Sequence, residues 1–582
     1  MPASARGESR SRSLSTPQRI QRALTGTFGL KELRPGQRQV IERVLAAQPT
    51  LALMPTGAGK SLCYQLPALL LEGRTVVVSP LIALMKDQCD HLCALGIPAV
   101  QLNSALDADT VRAAEAAVAD GSARIVFVTP ERLAEPECQA LLRTHATALL
   151  VVDEAHCISH WGHDFRPAFL EIGPALPALG RPTVLALTAT AIDSVADDIA
   201  QQLGIPRAGI VNTGTYRPNL HYRVEQVTRE DDKLARTLAH VKETADSGIV
   251  YTATVKAATA VHAALKEAGE SVGLYHGRLA ARQREAVQNE FMEGHTRVMV
   301  ATNAFGLGID KADLRFVLHY QMPSGLDAYY QESGRAGRDG ETALCTLLFL
   351  RSDKAVQQFF LAHRYPAEED TTALYRQLHE PPTEGEAWDL SSLQQAMQRP
   401  RAKLQVALSL LRRQHIAERD RAGRIRLLRR GLEPAALAAL GAAYEDKRAE
   451  DQALLEQMVF YAQTGWCRWK VLLQHFGALP EGFSQCGGCD NCARIAWHLQ
   501  EALAAQAQQE EAEPDAGAST PRAAFSVGDA VRVRRYGLGV VTAADALSVS
   551  VEFKNGEQRC FLPEWVSRAA ARRKTGQPPA VR

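Results

Sequence analysis

Three short stretches of this sequence have residue types and spacings that suit phosphate chemistry, and a fourth suits a metal. Residues 51–61 read L-A-L-M-P-T-G-A-G-K-S. An apolar strand running into Thr56, Gly57, Ala58, Gly59, Lys60 and Ser61, followed by a helix, would let backbone N–H groups close around the β- and γ-phosphates of ATP. Lys60 would neutralise phosphate charge, and the Ser61 hydroxyl would ligate Mg²⁺. Met54 stands where the pattern G-x-x-x-x-G-K-[ST] has its first glycine, so a glycine-rich turn without ligand competes with this reading when the stretch is taken alone. At 148–156 the sequence A-L-L-V-V-D-E-A-H ends an apolar strand in two carboxylates. Asp153 would hold Mg²⁺, and Glu154 would orient and polarise an attacking water. A charged strand end alone is usually surface; about ninety residues after a phosphate loop it reads as a catalytic pair.

The stretch Q-E-S-G-R-A-G-R-D-G at 331–340 places Arg335 and Arg338 three residues apart, which on a helical turn would face the same way. An arginine of this kind can accelerate hydrolysis by about 10³–10⁵-fold, and two lobes would have to close to bring it to the γ-phosphate. Cys467, Cys486, Cys489 and Cys492 form C-x18-C-x2-C-x2-C. Four thiolates favour Zn²⁺ in a closed tetrahedral site; an iron–sulfur cluster or free thiols are the alternatives. The other seven cysteines are scattered and read as packing residues.

The elements that would position these groups alternate along the chain. Strand-like runs at 51–54, 75–79, 124–129, 148–153 and 183–188 interleave with amphipathic stretches, and a second series lies at 248–251, 271–275, 298–302, 316–319 and 342–350. This predicts an α/β fold of two tandem doubly wound parallel-sheet lobes with a boundary near 212–222. Residues 386–430 read as a helix, a turn, a basic helix and a short hairpin, a winged-helix-like pattern. Residues 525–566 hold short β-like runs separated by Gly-Asp, Tyr-Gly-Leu-Gly and Lys-Asn-Gly, which suggests a small barrel. The expected division is a disordered N-terminus 1–17, lobes 18–212 and 213–365, a winged-helix-like module 366–440 and a zinc-binding module 441–498. A linker 499–523, a barrel 524–567 of SH3 or Tudor type and a basic tail 568–582 complete it.

Bulk properties exclude little. The 582 residues carry 66 basic and 65 acidic side chains, a formal net charge of +1, so any surface for nucleic acid must be local. No apolar run is long enough to span a membrane, residues 1–16 lack the apolar core of a secretory signal, and eleven cysteines do not suggest a disulfide framework. A cytoplasmic protein is expected, associated with the nucleoid if bacterial.

In this order the motifs resemble superfamily 2 helicases, and D-E-A-H-C-I-S-H-W-G-H-D-F-R-P at 153–167 narrows the resemblance to the RecQ family. The resemblance covers roughly residues 18–365. It implies RecA-like lobes and an aromatic-rich loop in which His160, Trp161, His163, Phe165 and Arg166 bind single-stranded DNA, stacking on bases or pairing with phosphate. F-G-L-K-E-L-R-P-G-Q at 28–37 resembles the family's adenine-recognition motif, with Gln37 on the base edge, Arg34 nearby and Leu30 where an aromatic often stands. S-P-L-I-A-L-M-K-D-Q at 79–88, T-P-E-R-L at 129–133, T-A-T at 188–190, Y-H-G-R-L at 275–279 and A-T-N-A-F-G-L-G-I-D at 301–310 resemble further helicase motifs. By the same resemblance Arg338 is the finger and Arg335 assists it. Val255 departs from the family, which usually has arginine there.

The family also carries a four-cysteine zinc module after its second lobe. Its winged helix usually follows that module, whereas here the pattern precedes it, and no helicase-and-RNase-D C-terminal domain is recognisable. Arg399, Arg401, Lys403, Arg412 and Arg413, with Arg419, Arg421, Arg424 and Arg426 on the hairpin, are candidate duplex contacts; the competing reading is a solvated basic face. On the barrel, Arg532, Arg534, Arg535 and Tyr536 are candidate docking contacts for a protein or nucleic acid, against a purely structural cap. The resemblance implies an ATP-dependent DNA helicase, translocating 3′ to 5′ on single strands and unwinding branched duplexes in recombination and repair, as a monomer. A nucleotide-switched binder that remodels branched DNA without processive unwinding, or an RNA helicase, are the competing functions.

Overall fold

The computed structural model describes residues 15–159, 166–189, 192–306, 309, 311–364, 368–382, 387–420, 423–512, 525–534, 536–545, 548–554 and 556–569. Its first lobe is a seven-stranded parallel sheet built from β1 (Thr50–Leu53), β2 (Arg74–Val78), β3 (Ala99–Leu102), β4 (Ile125–Val128), β5 (Thr147–Val152), β6 (Thr183–Thr188) and β7 (Ile210–Asn212) in the order β3-β4-β2-β5-β6-β1-β7. Strands covered by helices on both faces are largely apolar, which is why β1, β2, β4, β5 and β6 read as apolar runs. Apolar clusters lie on both sides, Leu51, Val76, Val126 and Leu150 in one and Ala52, Val77, Phe127 and Leu149 in the other.

The second lobe repeats this with β8 (Leu220–Gln226), β9 (Gly248–Tyr251), β10 (Val272–Tyr275), β11 (Val298–Ala301), β12 (Phe316–His319) and β13 (Ala343–Phe349), all parallel, in the order β10-β11-β9-β12-β13-β8. The segment 213–219 joins the lobes.

Helices Glu368–Gln377, Leu390–Met397 and Arg401–Arg413 and a hairpin of β14 (Ala417–Arg419) and β15 (Ile425–Leu427) form the winged-helix-like module before the zinc cysteines. Its own core gathers Leu374, Trp388, Leu393, Leu404 and Leu411, and Asp389 caps the second helix by accepting from the Ser391 and Ser392 amides. A 30-residue helix, Pro434–Gln463, begins with proline at its first turn, short of the expected module end at 440. The helix Asp490–Ala512 runs through much of the expected linker; the Ala, Gln and Glu that suggest a flexible tether are strong helix formers.

The last unit is a five-stranded antiparallel sheet of β16 (Ala530–Val533), β17 (Gly537–Ala544), β18 (Val549–Phe553), β19 (Gln558–Phe561) and β20 (Val566–Arg568), ordered β19-β18-β17-β16-β20 around Val531, Val551, Phe553 and Phe561. It leans on the zinc module: a Cβ on Gly465 would stand 3.2 Å from Leu562 Cγ, and Glu564 lies 3.6 Å from His498. No helix among the described residues is long and apolar enough to cross a membrane.

Candidate functional site

The chain leaves β1 at the carboxyl edge of the first sheet, where parallel α/β folds place their ligands. The turn that follows needs Gly57 and Gly59 in the left-handed region, at φ +84° and +75°. A Cβ on Gly59 would also approach Gln37 Nε2 to 2.5 Å. Met54, at the unusual position, is fully buried below the loop with its Sδ 3.8 Å from Cys63 Sγ, so its side chain serves the lobe's core and leaves the loop open. Lys60 Nζ donates to Met54 O at 3.3 Å. Burial lowers the Lys60 pKa, opposed by the nearby Glu154 and Asp153 carboxylates.

At the end of β5, burial and the adjacent Glu154 charge push Asp153 up to about 7. Glu154 has φ +49°, a strained conformation for a non-glycine residue. It brings Glu154 Oε2 to 3.3 Å from His156 Nδ1, which is also 2.9 Å from Thr188 Oγ1 at the end of β6. The carboxylate is thereby tied to the T-A-T stretch, of which Thr190 lies outside the described residues.

Gln37 is buried and fully engaged: its Oε1 accepts from Arg34 N at 2.8 Å, and its Nε2 donates to Ala58 O and Gly59 O at 3.0 and 2.9 Å. Arg34 donates to Gly57 O. The expected adenine-reading pair therefore also braces the phosphate loop. Leu30, 45% exposed, stands on the rim of the same cleft.

The second lobe closes the cleft. Arg335 and Arg338 line it together with Lys60, Asp153 and Glu154, around a volume of about 400 Å³, within the usual range for a small-molecule site. They are not on a helical turn: the helix Leu326–Ser333 ends before them, and Gly337, at φ +56°, bends the segment between them. Both arginines still reach one cleft, and a Cβ on Gly57 would stand 3.3 Å from Arg338 Cγ.

One residue escaped the sequence reading. Arg217, in the segment between the lobes, donates to Thr56 O (3.2 Å), Gly334 O (2.6 Å), Ala336 O (2.8 Å) and Gly337 O (2.5 Å). The available signal is an arginine before Pro218 at the lobe boundary, in T-Y-R-P-N-L.

The zinc candidates converge. The four sulphurs of Cys467, Cys486, Cys489 and Cys492 lie within 4.8 Å of one another, and those of Cys486 and Cys492 are 3.9 Å apart. Sulphurs about 2.3 Å from one tetrahedral ion stand about 3.8 Å apart, so the cage fits one zinc and leaves no room for a multi-iron core. Backbone N–H groups of Cys486, Arg468 and Cys492 donate to these sulphurs at 3.2–3.4 Å, which favours thiolates. Of the other seven cysteines six are buried; Cys93 is exposed and does not fit the packing expectation.

Of the expected DNA-binding loop, His160, Trp161, His163 and Phe165 lie outside the described residues. Arg166 donates to Pro80 O at 3.3 Å, in the 79–88 stretch. On the winged-helix-like module Arg399 and Lys403 pair with the buried Asp370, and Arg424 with Asp420, so these three are held by internal partners. Arg401, Arg412, Arg419 and Arg426 remain exposed; the Arg413 side chain and Arg421 lie outside the description. On the barrel Arg532 and Arg534 are exposed and Arg535 is outside the description. Tyr536 is not a free docking contact: it donates to Gln463 Oε1 and lies under Arg559, 4.6 Å from its ring centroid.

Family models match along the same frame: DEAD/DEAH box helicase over residues 34–199, helicase conserved C-terminal domain over 231–340 and RecQ zinc-binding over 421–493. The chain is 39% identical over 344 residues to "Probable ATP-dependent DNA helicase RecS" of Bacillus subtilis (strain 168), covering 68% of that protein. The chain belongs to the RecQ family. It is also 44% identical over 348 residues to the ATP-dependent DNA helicase RecQ of the same organism and 38% over 332 residues to that of Pasteurella multocida. The matches take in 57–59% of this chain but only 58% and 52% of these two RecQ relatives, so the chain spans little more than half their length. The two-lobed fold is shared with Mss116p bound to ssRNA and AMP-PNP, at a TM-score of 0.50 and 18% identity over 66% of this chain and 84% of that one. This RecQ-family chain thus combines both lobes and the cysteine cage with a winged-helix-like module placed ahead of the cysteines.

Proposed function

We propose that this protein is an ATP-dependent DNA helicase that moves 3′ to 5′ on single-stranded DNA and opens branched duplexes in recombination and repair. One observation carries the reading: Lys60, Asp153 and Glu154 from one lobe share a cleft with Arg335 and Arg338 from the other. Lys60 and the N–H groups of 56–61 receive the β- and γ-phosphates, Glu154 orients the attacking water, and Arg338, assisted by Arg335, meets charge on the transferred phosphoryl group. Ser61 and Asp153 would hold Mg²⁺, which offsets charge on the phosphate oxygens. Because the two halves of the site sit on different lobes, hydrolysis depends on their approach, and its completion lets them part while a strand is gripped. The relatives named as DNA helicases support DNA over RNA as substrate, and the cysteine cage supports Zn²⁺ as a structural metal.

Strand displacement on 3′-tailed, 5′-tailed and forked DNA and on matched RNA duplexes, with and without ATP, tests this. Displacement of 3′-tailed and forked DNA alone is expected. ATP turnover stimulated by DNA without displacement would replace the motor with a nucleotide-switched remodelling protein, and preference for RNA would overturn the substrate.

A further inference from the structure

We infer that Arg217 is a positioning residue for ATP hydrolysis, joining the phosphate loop of one lobe to the arginine loop of the other. The inference rests on the cleft being the ATP site and adds a part to it. The hydrogen bonds of Arg217 reach no candidate nucleotide-binding side chain among the described residues. Its two terminal nitrogens donate to four backbone carbonyls, Thr56 O beside the phosphate-loop glycines and Gly334, Ala336 and Gly337 O around the arginines. The residue is 9% exposed, and burial is the main cause lowering its pKa, with no carboxylate among the groups that oppose it. A buried charge satisfied only by carbonyl dipoles is costly, and its arms fall on the two loops that must meet for hydrolysis.

The chemistry needs this side chain. A guanidinium presents five N–H donors in a rigid plane and stays charged when desolvated, so it can bridge carbonyls on two separate loops at once. An ammonium of similar reach cannot span that fork. Pro218 disfavours helix at Arg217, and Asn219 extends the same clamp: its Nδ2 donates to Gly337 O and Glu341 O at 2.8 and 2.9 Å. A Cβ on Gly337 would stand 2.6 Å from that nitrogen, so the bend between Arg335 and Arg338 is moulded on the inter-lobe segment. The loops also touch, with a Cβ on Gly334 reaching 3.4 Å from Thr56 Cβ.

A residue that only stabilised the second lobe would alter stability and leave the chemical step in proportion. A positioning residue splits kcat from binding. In full-length protein with DNA, Arg217→Ala and Arg217→Lys should each lower kcat for ATP about 100-fold or more, while the Kd for a fluorescent ADP moves less than about threefold. Methylguanidinium added to Arg217→Ala should restore at least tenfold of the rate, and methylammonium should not. Asn219→Ala, which removes one arm only, should show the same split at about tenfold and covers the case in which Arg217 variants fold poorly. A kcat within threefold of wild type in the Arg217 variants, or a loss with no guanidinium rescue and a parallel fall in ADP affinity and Tm, overturns the inference. If the wild-type protein itself consumes no ATP with any DNA, the reading of the cleft fails instead.

Discussion

The two lobes share a parallel-sheet plan but complete their cores differently. The first lies between two clusters made of its own residues. The second has one such cluster, around Val250, Val300 and Leu318, while its other face merges with the zinc module in a continuous core that includes Tyr222, Tyr329, Tyr330, Trp469, Phe476 and three of the four cage cysteines. Ring contacts stitch the seam, with Tyr222 and Tyr216 5.1 and 4.9 Å from Trp469 and Tyr330 5.1 Å from Phe476. So do polar ties: Trp469 Nε1 donates to Leu220 O at 3.0 Å, His475 meets Asp327 at 2.9 Å, and Asp490 accepts from Val224 N and from Arg468. The phosphate loop therefore stands on a self-sufficient lobe. The arginine loop follows the helix Leu326–Ser333, whose packed side belongs partly to the zinc module. Half of the candidate site is supported by a module built around the four-cysteine cage, which lies outside that site.

The largest effect should be local to the first lobe. Lys60→Ala should abolish hydrolysis, by more than about 1,000-fold in single-turnover assays, while calorimetry shows Tm within a few degrees of wild type. A large fall in Tm would mean that the first lobe is not self-sufficient. Removing zinc with a chelator, or Cys489→Ser, should do the opposite: hydrogen exchange should rise across β8 and the helix Leu326–Ser333 while β1 and β5 stay protected, because metal binding and folding of the joint core are linked. Uniform loss of protection across both lobes, or none in the second, would break the contrast. A sharper cut at the seam is Arg468→Met. Arg468 is buried and forms a two-armed pair with Asp490, so losing one partner of a buried pair should cost about 3–5 kcal/mol in chemical denaturation, confined to the second lobe's transition.

How much of this is legible in sequence follows from the same contrast. β1, β2, β4–β6, β9 and β11–β13 stand out as apolar runs because both faces are covered, and the edge strand β10 stands out by its apolar composition alone, since its burial alternates. β3, with Gln101 inside it, and the three-residue β7 lie at sheet edges and do not stand out. β8, L-H-Y-R-V-E-Q, alternates in burial, and its buried Tyr222 makes sense only once Trp469, far along the chain, is in place. The four cysteines are readable because metal geometry imposes short spacings. Arg335 and Arg338 are readable as a pair but not in conformation, since the helix ends at Ser333 and Gly337, in the left-handed region, bends the segment between them. Arg217 is the least legible, because its partners are backbone carbonyls more than a hundred residues away on either side, and carbonyls leave no mark on residue type.

The smallest effect should come from a surface ion pair between the lobes, Lys86 with Glu285 at 3.1 Å. Both side chains are more than half exposed, 56% and 59%, so solvent screens the attraction and holding two long chains costs entropy; such pairs contribute under about 1 kcal/mol. The hydrogen bond and charge of Glu285 raise the Lys86 pKa. The pair's contribution is then fully present below the ordinary lysine pKa and lost only as pH rises through the raised value, so it should not vary between pH 6 and 9. Glu285→Gln should change kcat and DNA-stimulated KM by less than about twofold, and 0.5 M salt should erase even that. An effect approaching that of Arg217→Ala would move the lobe coupling from the buried segment to the surface, and the contrast between a screened contact and a desolvated one would no longer explain how the lobes are joined.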